Sequence, residues 1–177
     1  MLITYNMLRI DKFGDIDKRL LMDVYAESNF QNTYHFFPEI ADKDDAVKKV
    51  EEGFLDFLEN DFFKKDGNLY WVMEKDGKWI SALRTSELDG RTFYIEALET
   101  HPEHRRQGWA ARLIESVIEH LKRGGSFRLC CCVDKENTPS VETHLSCGFN
   151  ITDDVGHDLL SGESSEYDYS FEYRFDD

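Results

Sequence analysis

The residues of this chain best suited to chemistry lie between Thr100 and Ala111, in the run Thr-His-Pro-Glu-His-Arg-Arg-Gln-Gly-Trp-Ala-Ala. An apolar segment, Phe93-Tyr-Ile-Glu-Ala-Leu98, precedes it and reads as a strand. A helix-patterned segment from Trp109 to Leu121 follows it. Strand, turn and helix in that order form a cradle for phosphate. The first N–H groups of a helix have no intrahelical acceptor, and the helix dipole adds partial positive charge. Gly108 has no Cβ, so a pyrophosphate can come close to the backbone. Arg105 and Arg106 can add charge-assisted bonds to its oxygens. Two other phosphate motifs are missing: there is no Gly-Lys-Ser/Thr and no three-glycine dinucleotide fingerprint.

The elements that must hold this cradle can be read along the chain. Met1 to Ile10 predicts a first strand. Ile16 to Ala26 predicts a helix, and Glu27 to Pro38 a loop rich in aromatics. Asp42 to Phe62 predicts a second helix, with Val47, Val50, Phe54, Leu55 and Leu58 at helical spacing. Asn68–Met73 and Lys78–Arg84 flank Glu74-Lys-Asp-Gly77, a hairpin signal. Arg91 to Thr100 is the next strand. The helix from Trp109 carries Leu113, Ile114, Val117, Ile118 and Leu121 on one stripe and stops at Gly124-Gly125. Phe127 to Val133 reads as a strand buried on both faces. Asn137 or Thr138 caps a short helix through Leu145, and Phe149 to Phe175 holds two weaker strands. With no repeat and no Pro/Gly-rich linker, residues 1–177 are expected to form a single domain.

Net charge is −15, which argues against nucleic acid as a partner. Residues 101–128 are an exception, with six Lys/Arg against three acids, a net +3 that leaves −18 on the rest. A basic island on an acidic chain suits a phosphorylated ligand, and the acidic remainder would attract a cationic amine. Most of those acids serve equally well as a solvated face. No apolar run approaches the roughly 20 residues that a membrane helix needs. The N-terminus lacks the basic head and long apolar segment of a signal peptide. The four cysteines, at 130, 131, 132 and 147, have neither disulfide nor zinc spacing, and read as small thiols in a reducing cytoplasm.

The pattern Arg105-x-x-Gly108-x-Ala110, after a strand ending in Thr100-His101-Pro102, resembles the acetyl-CoA motif of the GNAT superfamily of N-acetyltransferases. A second block, Asn137-Thr-Pro-Ser140-Val-Glu-Thr-His144-Leu-Ser-Cys-Gly148-Phe149, resembles that family's second cofactor motif. The resemblance implies an α/β (α+β) fold, with a mixed, mostly antiparallel central sheet flanked by helices. Two middle strands splay apart there, and the pantetheine arm lies in the gap. It implies direct transfer of an acetyl group from acetyl-CoA to a primary amine; the stand-alone single domain and acidic surface favour a small-molecule amine, and no metal is expected. The cofactor contacts it implies are Leu98, Thr100, Arg105, Arg106, Gln107, Gly108, Trp109, Ala110 and Asn137. Gln107, Gly108, Trp109 and Ala110 would act through backbone N–H groups, and Arg105 rather than Arg106 is the expected pyrophosphate contact. Dimers are common among similar proteins.

Acyl transfer to an amine needs a base for the ammonium, stabilisation of the carbonyl oxygen and a proton for the leaving thiolate. Strand alternation over Tyr94–Thr100 puts residues 94, 96, 98 and 100 on one face. Glu96 is therefore the expected base, beside Leu98 and Thr100, with Glu99 on the opposite face; the alternative for Glu96 is a structural pairing. Similar enzymes use a tyrosine seven residues after the motif's Asn; here that position is His144. With an ordinary pKa of about 6.5, His144 can act as general acid, or can simply pack. Tyr5, Tyr34 and Tyr94 are other candidate acids. Tyr34, Phe36 and Phe37 can line an acceptor pocket or anchor the loop. His101 and His104 are expected to be turn residues without a metal. The alternatives to the enzyme are a catalytically silent acyl-CoA-binding sensory module, suggested by the loss of tyrosine at 144, and an interaction protein that keeps only the fold.

Overall fold

The computed structural model describes residues 5–177, so Met1 to Thr4 of the expected first strand lie outside the described residues. The chain begins with β1 (Tyr5–Ile10), followed by two helices, α1 (Lys18–Phe36) and α2 (Lys43–Asn60). The hairpin of β2 (Leu69–Lys75) and β3 (Lys78–Glu87) comes next, then β4 (Thr92–Thr100) and α3 (Trp109–Lys122). After β5 (Phe127–Asp134) and α4 (Thr138–Ser146) come β6 (Asn150–Asp153), a small pair β7 (Gly156–His157) and β8 (Ser164–Ser165), and β9 (Asp168–Phe175).

Local signals account for most of these boundaries. Asp17 caps α1 by accepting from Leu20 N, and Asp42 caps α2 by accepting from Asp44 N and Asp45 N. Asp76 and Gly77 both have positive φ, 53° and 72°, as a two-residue turn needs if it is to follow the twist of the flanking strands. The expected loop Glu27–Pro38 is a correction: α1 continues through it to Phe36. Residues 27–36 contain no glycine or proline, and the buried stripe of Leu21 and Tyr25 carries on through Asn29 and Thr33. The stripe becomes polar there without losing its period, so hydrophobicity alone ends the helix too early.

Seven strands form one sheet in the order β1-β2-β3-β4-β5-β9-β6. Every neighbouring pair is antiparallel except β4 and β5. One face packs on α3, where Leu113, Ile114 and Val117 meet Trp71, Leu83, Phe93 and Leu129. The other face packs on α1 and α2, where Leu21, Val24 and Leu58 meet Tyr70, Val72 and Ala82. The mixed, mostly antiparallel sheet flanked by helices is thus as the sequence implied.

Two irregularities in β4 create the site. The strand pairs with β5 only from Thr92 to Tyr94, opposite Arg128 to Cys130, and the two strands then part. Against β3, Glu96 pairs with Arg84 and Glu99 with Ala82, so three steps of β4 match two of β3. This is a β-bulge, centred on Ala97 with φ 51°. An extra residue reverses the alternation beyond it. Glu96 and Glu99 therefore share the α1/α2 face, while Leu98 and Thr100 belong to the opposite one. The single face expected for 94, 96, 98 and 100 is overturned, and so is the placing of Glu99 away from Glu96.

Candidate active site

Two cavities meet at the bulge. The first, of about 910 Å³, lies between the end of β4, the β4–α3 turn, the start of α3 and α4. Leu98, Thr100, Arg105, Arg106, Gly108, Trp109, Ala110 and Asn137 all line it. The second, of about 670 Å³, lies between α1, α2 and β4, with Tyr25, Asn29, Phe54 and Phe57 among its walls. Ser28 and Glu99 line both.

The cradle is built as its sequence suggests. Gly108 precedes α3 in the left-handed conformation, φ 77°, and gives the helix no side-chain cap. A Cβ built there meets nothing within 4 Å among the described residues. The open N–H groups of the first turn of α3 and this bare glycine therefore face the cavity without obstruction.

Its flanking side chains divide differently from expectation. Arg105 is already committed: it pairs with Glu27, bonds Glu99 at 3.0 Å and donates to Thr100 O at 3.1 Å. Arg106, with φ 60°, has no side-chain partner among the described residues and is the arginine left for an anion. Gln107 is not on the cavity wall; its side chain bonds Glu103 O and Trp109 Nε1, each at 3.3 Å. Trp109 is buried in the α3 core although its edge reaches the cavity. Asn137 caps α4 by accepting from Ser140 N at 3.2 Å. His101 Nδ1 accepts from Glu103 N at 3.2 Å, the turn role expected of it, although His101, Glu103 and His104 bring potential ligand atoms within 4.8 Å of one another.

The acid–base candidates are reordered. Glu96 is bonded to Arg84 Nε at 3.2 Å and lines neither cavity, which matches the structural pairing held open for it. Glu99, 23% exposed, stands at the junction of the two cavities. Burial pushes its carboxyl above the ordinary value, Arg105 pulls it back, and Glu27 pushes it up again. A base with a raised pKa is a stronger proton acceptor once ionised. The position of Glu99 was hidden by the bulge, because nothing in the residue types around Ala97 announces an extra residue.

His144 stands apart from both cavities. It is 2% exposed and lines neither cavity. Its Nδ1 lies 2.8 Å from Ser140 O, and its Nε2 has no partner among the described residues. The ring packs edge-on to Phe149 at 5.2 Å. Burial lowers its pKa, against the pull of the Ser140 carbonyl, which disfavours the protonated form that a general acid needs. General-acid catalysis is worth about 10²–10⁴-fold. His144→Phe is accordingly expected to change kcat by less than about tenfold, measured with a thermal melt on the same preparation. A larger loss at unchanged Tm would return His144 to the chemistry.

None of the alternative acids reaches a cavity wall: Tyr34 is exposed, Tyr94 is buried, and Tyr5 packs edge-on to Trp109. A different tyrosine does reach a cavity wall: Tyr25 lines the second cavity, with the buried Tyr70 behind it. Tyr70 donates to Tyr25 Oη at 2.7 Å, and Tyr25 donates to Ala97 O at 2.5 Å. Burial raises both phenols, so they stay neutral and pin the bulge through hydrogen bonds.

The acetyltransferase (GNAT) family model matches residues 23–149. The chain belongs to the GNAT acetyltransferase family. Aminoglycoside N(6')-acetyltransferase type 1 of Serratia marcescens is 40% identical over 62 residues, 35% of this chain and 42% of that one. L-methionine sulfoximine/L-methionine sulfone acetyltransferase of Salmonella typhimurium is 27% identical over 77 residues, 43% of this chain and 42% of that one. The matched stretches thus span less than half of each relative. Among solved structures, PaiA N-acetyltransferase from Thermoplasma acidophilum, in complex with coenzyme A, superposes with a TM-score of 0.67 at 15% identity. That superposition covers 98% of this chain and 100% of the other, and shares the GNAT fold. The splayed pair β4 and β5 is the feature the family resemblance implied for the gap that admits the pantetheine arm.

Proposed function

We propose that this protein transfers an acetyl group from acetyl-CoA to the primary amine of a small molecule, by direct attack within a ternary complex. One observation carries the reading: a carboxylate of raised pKa, Glu99, sits where a phosphate-binding cleft meets a second, largely apolar cavity. The relatives support the chemistry, since those that match are named as acetyltransferases of aminoglycosides and of methionine analogues.

The first cavity fits acetyl-CoA. The bare Gly108 and the open N–H groups of α3 suit the pyrophosphate, with Arg106 adding charge. The gap beyond Tyr94 suits a slender arm. Acetyl-CoA supplies the acyl group as a thioester. Ala97 and Leu98 have no registered partners on β3, which frees backbone groups of the bulge to stabilise charge on the carbonyl oxygen. Tyr25 holds that bulge in place through Ala97 O.

Glu99 takes one proton from the acceptor's ammonium and passes it to water. The amine then forms the new C–N bond as the C–S bond breaks, and the nitrogen's second departing proton ends on the sulfur. The products are an amide and free CoA thiol, with one proton released. Arg105, held between Glu27 and Glu99, keeps the Glu99 carboxylate aimed. No helix of the described residues is long and apolar enough to cross a membrane.

The reading is tested by calorimetric titration of the purified protein with acetyl-CoA. Saturable one-to-one binding is expected. Absence of binding would remove both the acetyltransferase and the silent acyl-CoA-binding module.

A further inference from the structure

We infer that the acceptor is a monocationic amine on a flat apolar body, and that Gly53 and Lys49 set this preference. The inference rests on reading the second cavity as the acceptor site. It concerns which amine enters, and three features of the wall carry it.

The first is the lining. Tyr25, Phe36, Phe37, Phe54 and Phe57 give the cavity an aromatic wall. Phe54 stands edge-on to Tyr25 at 5.3 Å, and the Arg84 guanidinium covers Phe57 at 4.9 Å. Rings held in this way offer flat surface for an apolar or aromatic body.

The second is Gly53. It lies in the middle of α2, where glycine weakens a helix relative to alanine. Its backbone has ordinary helical φ, and a Cβ built on it meets nothing within 4 Å among the described residues. Neither strain nor a close approach therefore calls for glycine here. What the missing side chain does is leave space on the cavity wall.

The third is charge. The chain carries −15 overall, yet Glu99 is the one carboxylate on this wall among the described residues, against Lys49 and Arg84. Glu96 pairs with Arg84, and Lys49 has no ion-pair partner among the described residues. One ammonium can be received at Glu99. A second would stand in an apolar cavity against Lys49, where like charges repel more than in water. Polyamines and aminoglycosides carry several ammonium groups and need several carboxylates. This wall does not provide them.

The test compares phenethylamine, ethylamine and spermidine on the purified chain. Binding is read by calorimetry in the presence of CoA, and kcat/KM by acetylation. Phenethylamine is expected to bind and to exceed spermidine at least about tenfold in kcat/KM. Gly53→Leu is expected to lower the phenethylamine-to-ethylamine ratio about tenfold or more, with acetyl-CoA affinity and Tm maintained. Lys49→Glu is expected to raise spermidine turnover about tenfold. Preference of the wild type for spermidine, a Gly53→Leu variant with an unchanged ratio, or no phenethylamine binding would each overturn the inference. Phenethylamine that binds the CoA complex without being acetylated upholds the inference about the cavity and removes the acetyl-transfer reading instead.

Discussion

Glu99→Gln is expected to lower kcat by about 10²–10⁴-fold while leaving acetyl-CoA affinity unchanged. The side chain keeps its shape and its place beside Arg105, but it can no longer accept a proton. The size of the loss is that of a general base removed from the step that makes the amine nucleophilic. Wild-type activity should rise with pH through the ionisation of Glu99, which burial raises above its ordinary value. That limb should vanish in the variant. The stability effect has a definite sign. A carboxyl whose pKa is raised on folding contributes stability that is present below its unfolded pKa and lost as pH rises through its folded one. At neutral pH the ionised Glu99 therefore weakens the fold through its burial. Glu99→Gln removes that burden, while Arg105 keeps Glu27 and Thr100 O as partners, so Tm should not fall with kcat. Loss of activity together with a collapse of Tm would point to a structural role. Glu96→Gln is the natural comparison, since Glu96 holds Arg84 and reaches neither cavity.

The second large effect is expected at Gly108. Gly108→Glu should weaken acetyl-CoA binding at least about a hundredfold, which is about 2.8 kcal/mol. Two causes act together. A residue with a Cβ at φ 77° is strained by roughly 1–2 kcal/mol, which distorts the first turn of α3. The new carboxylate also projects into the cleft, where it repels a pyrophosphate at the helix N-terminus. Gly90 provides the control. It has φ 62° and the same open surroundings, but lies in the turn between β3 and β4 and away from the cleft. Gly90→Glu should cost similar strain and leave acetyl-CoA binding intact. Calorimetry on both variants separates an effect local to the cleft from a general cost of glutamate at a positive-φ glycine, and equal losses in both would show that the cleft is elsewhere.

What could be read from residue types alone follows from how local each signal is. The cradle was legible because its physics is contained in one strand, one turn and one helix start, and Gly108 occupies the position where a positive φ requires it. The hairpin was legible for the same reason, through Asp76-Gly77. The base was not. Ala97 carries the bulge with φ 51°, a conformation that alanine does not advertise, and counting by twos across it reverses every side chain that follows. The facing of α4 was also hidden, since the helix buries His144 and leaves Leu145 46% exposed. Hydrophobicity would have placed those two residues the other way round. The second cavity depends on α1 continuing past Ala26, which its buried Asn29 and Thr33 concealed. Each of these features is decided by packing between distant segments: Tyr25 reaches Ala97 from 72 positions away.

The most direct measurement is product formation. Purified protein is incubated with acetyl-CoA and a panel of primary amines, and mass spectrometry follows the amines while CoA release is counted. Acetylated amine in one-to-one ratio with released CoA, dependent on Glu99, is the expected result. Saturable acetyl-CoA binding with no acetylated product across the panel would contradict transfer at this site and leave a module that only binds acyl-CoA.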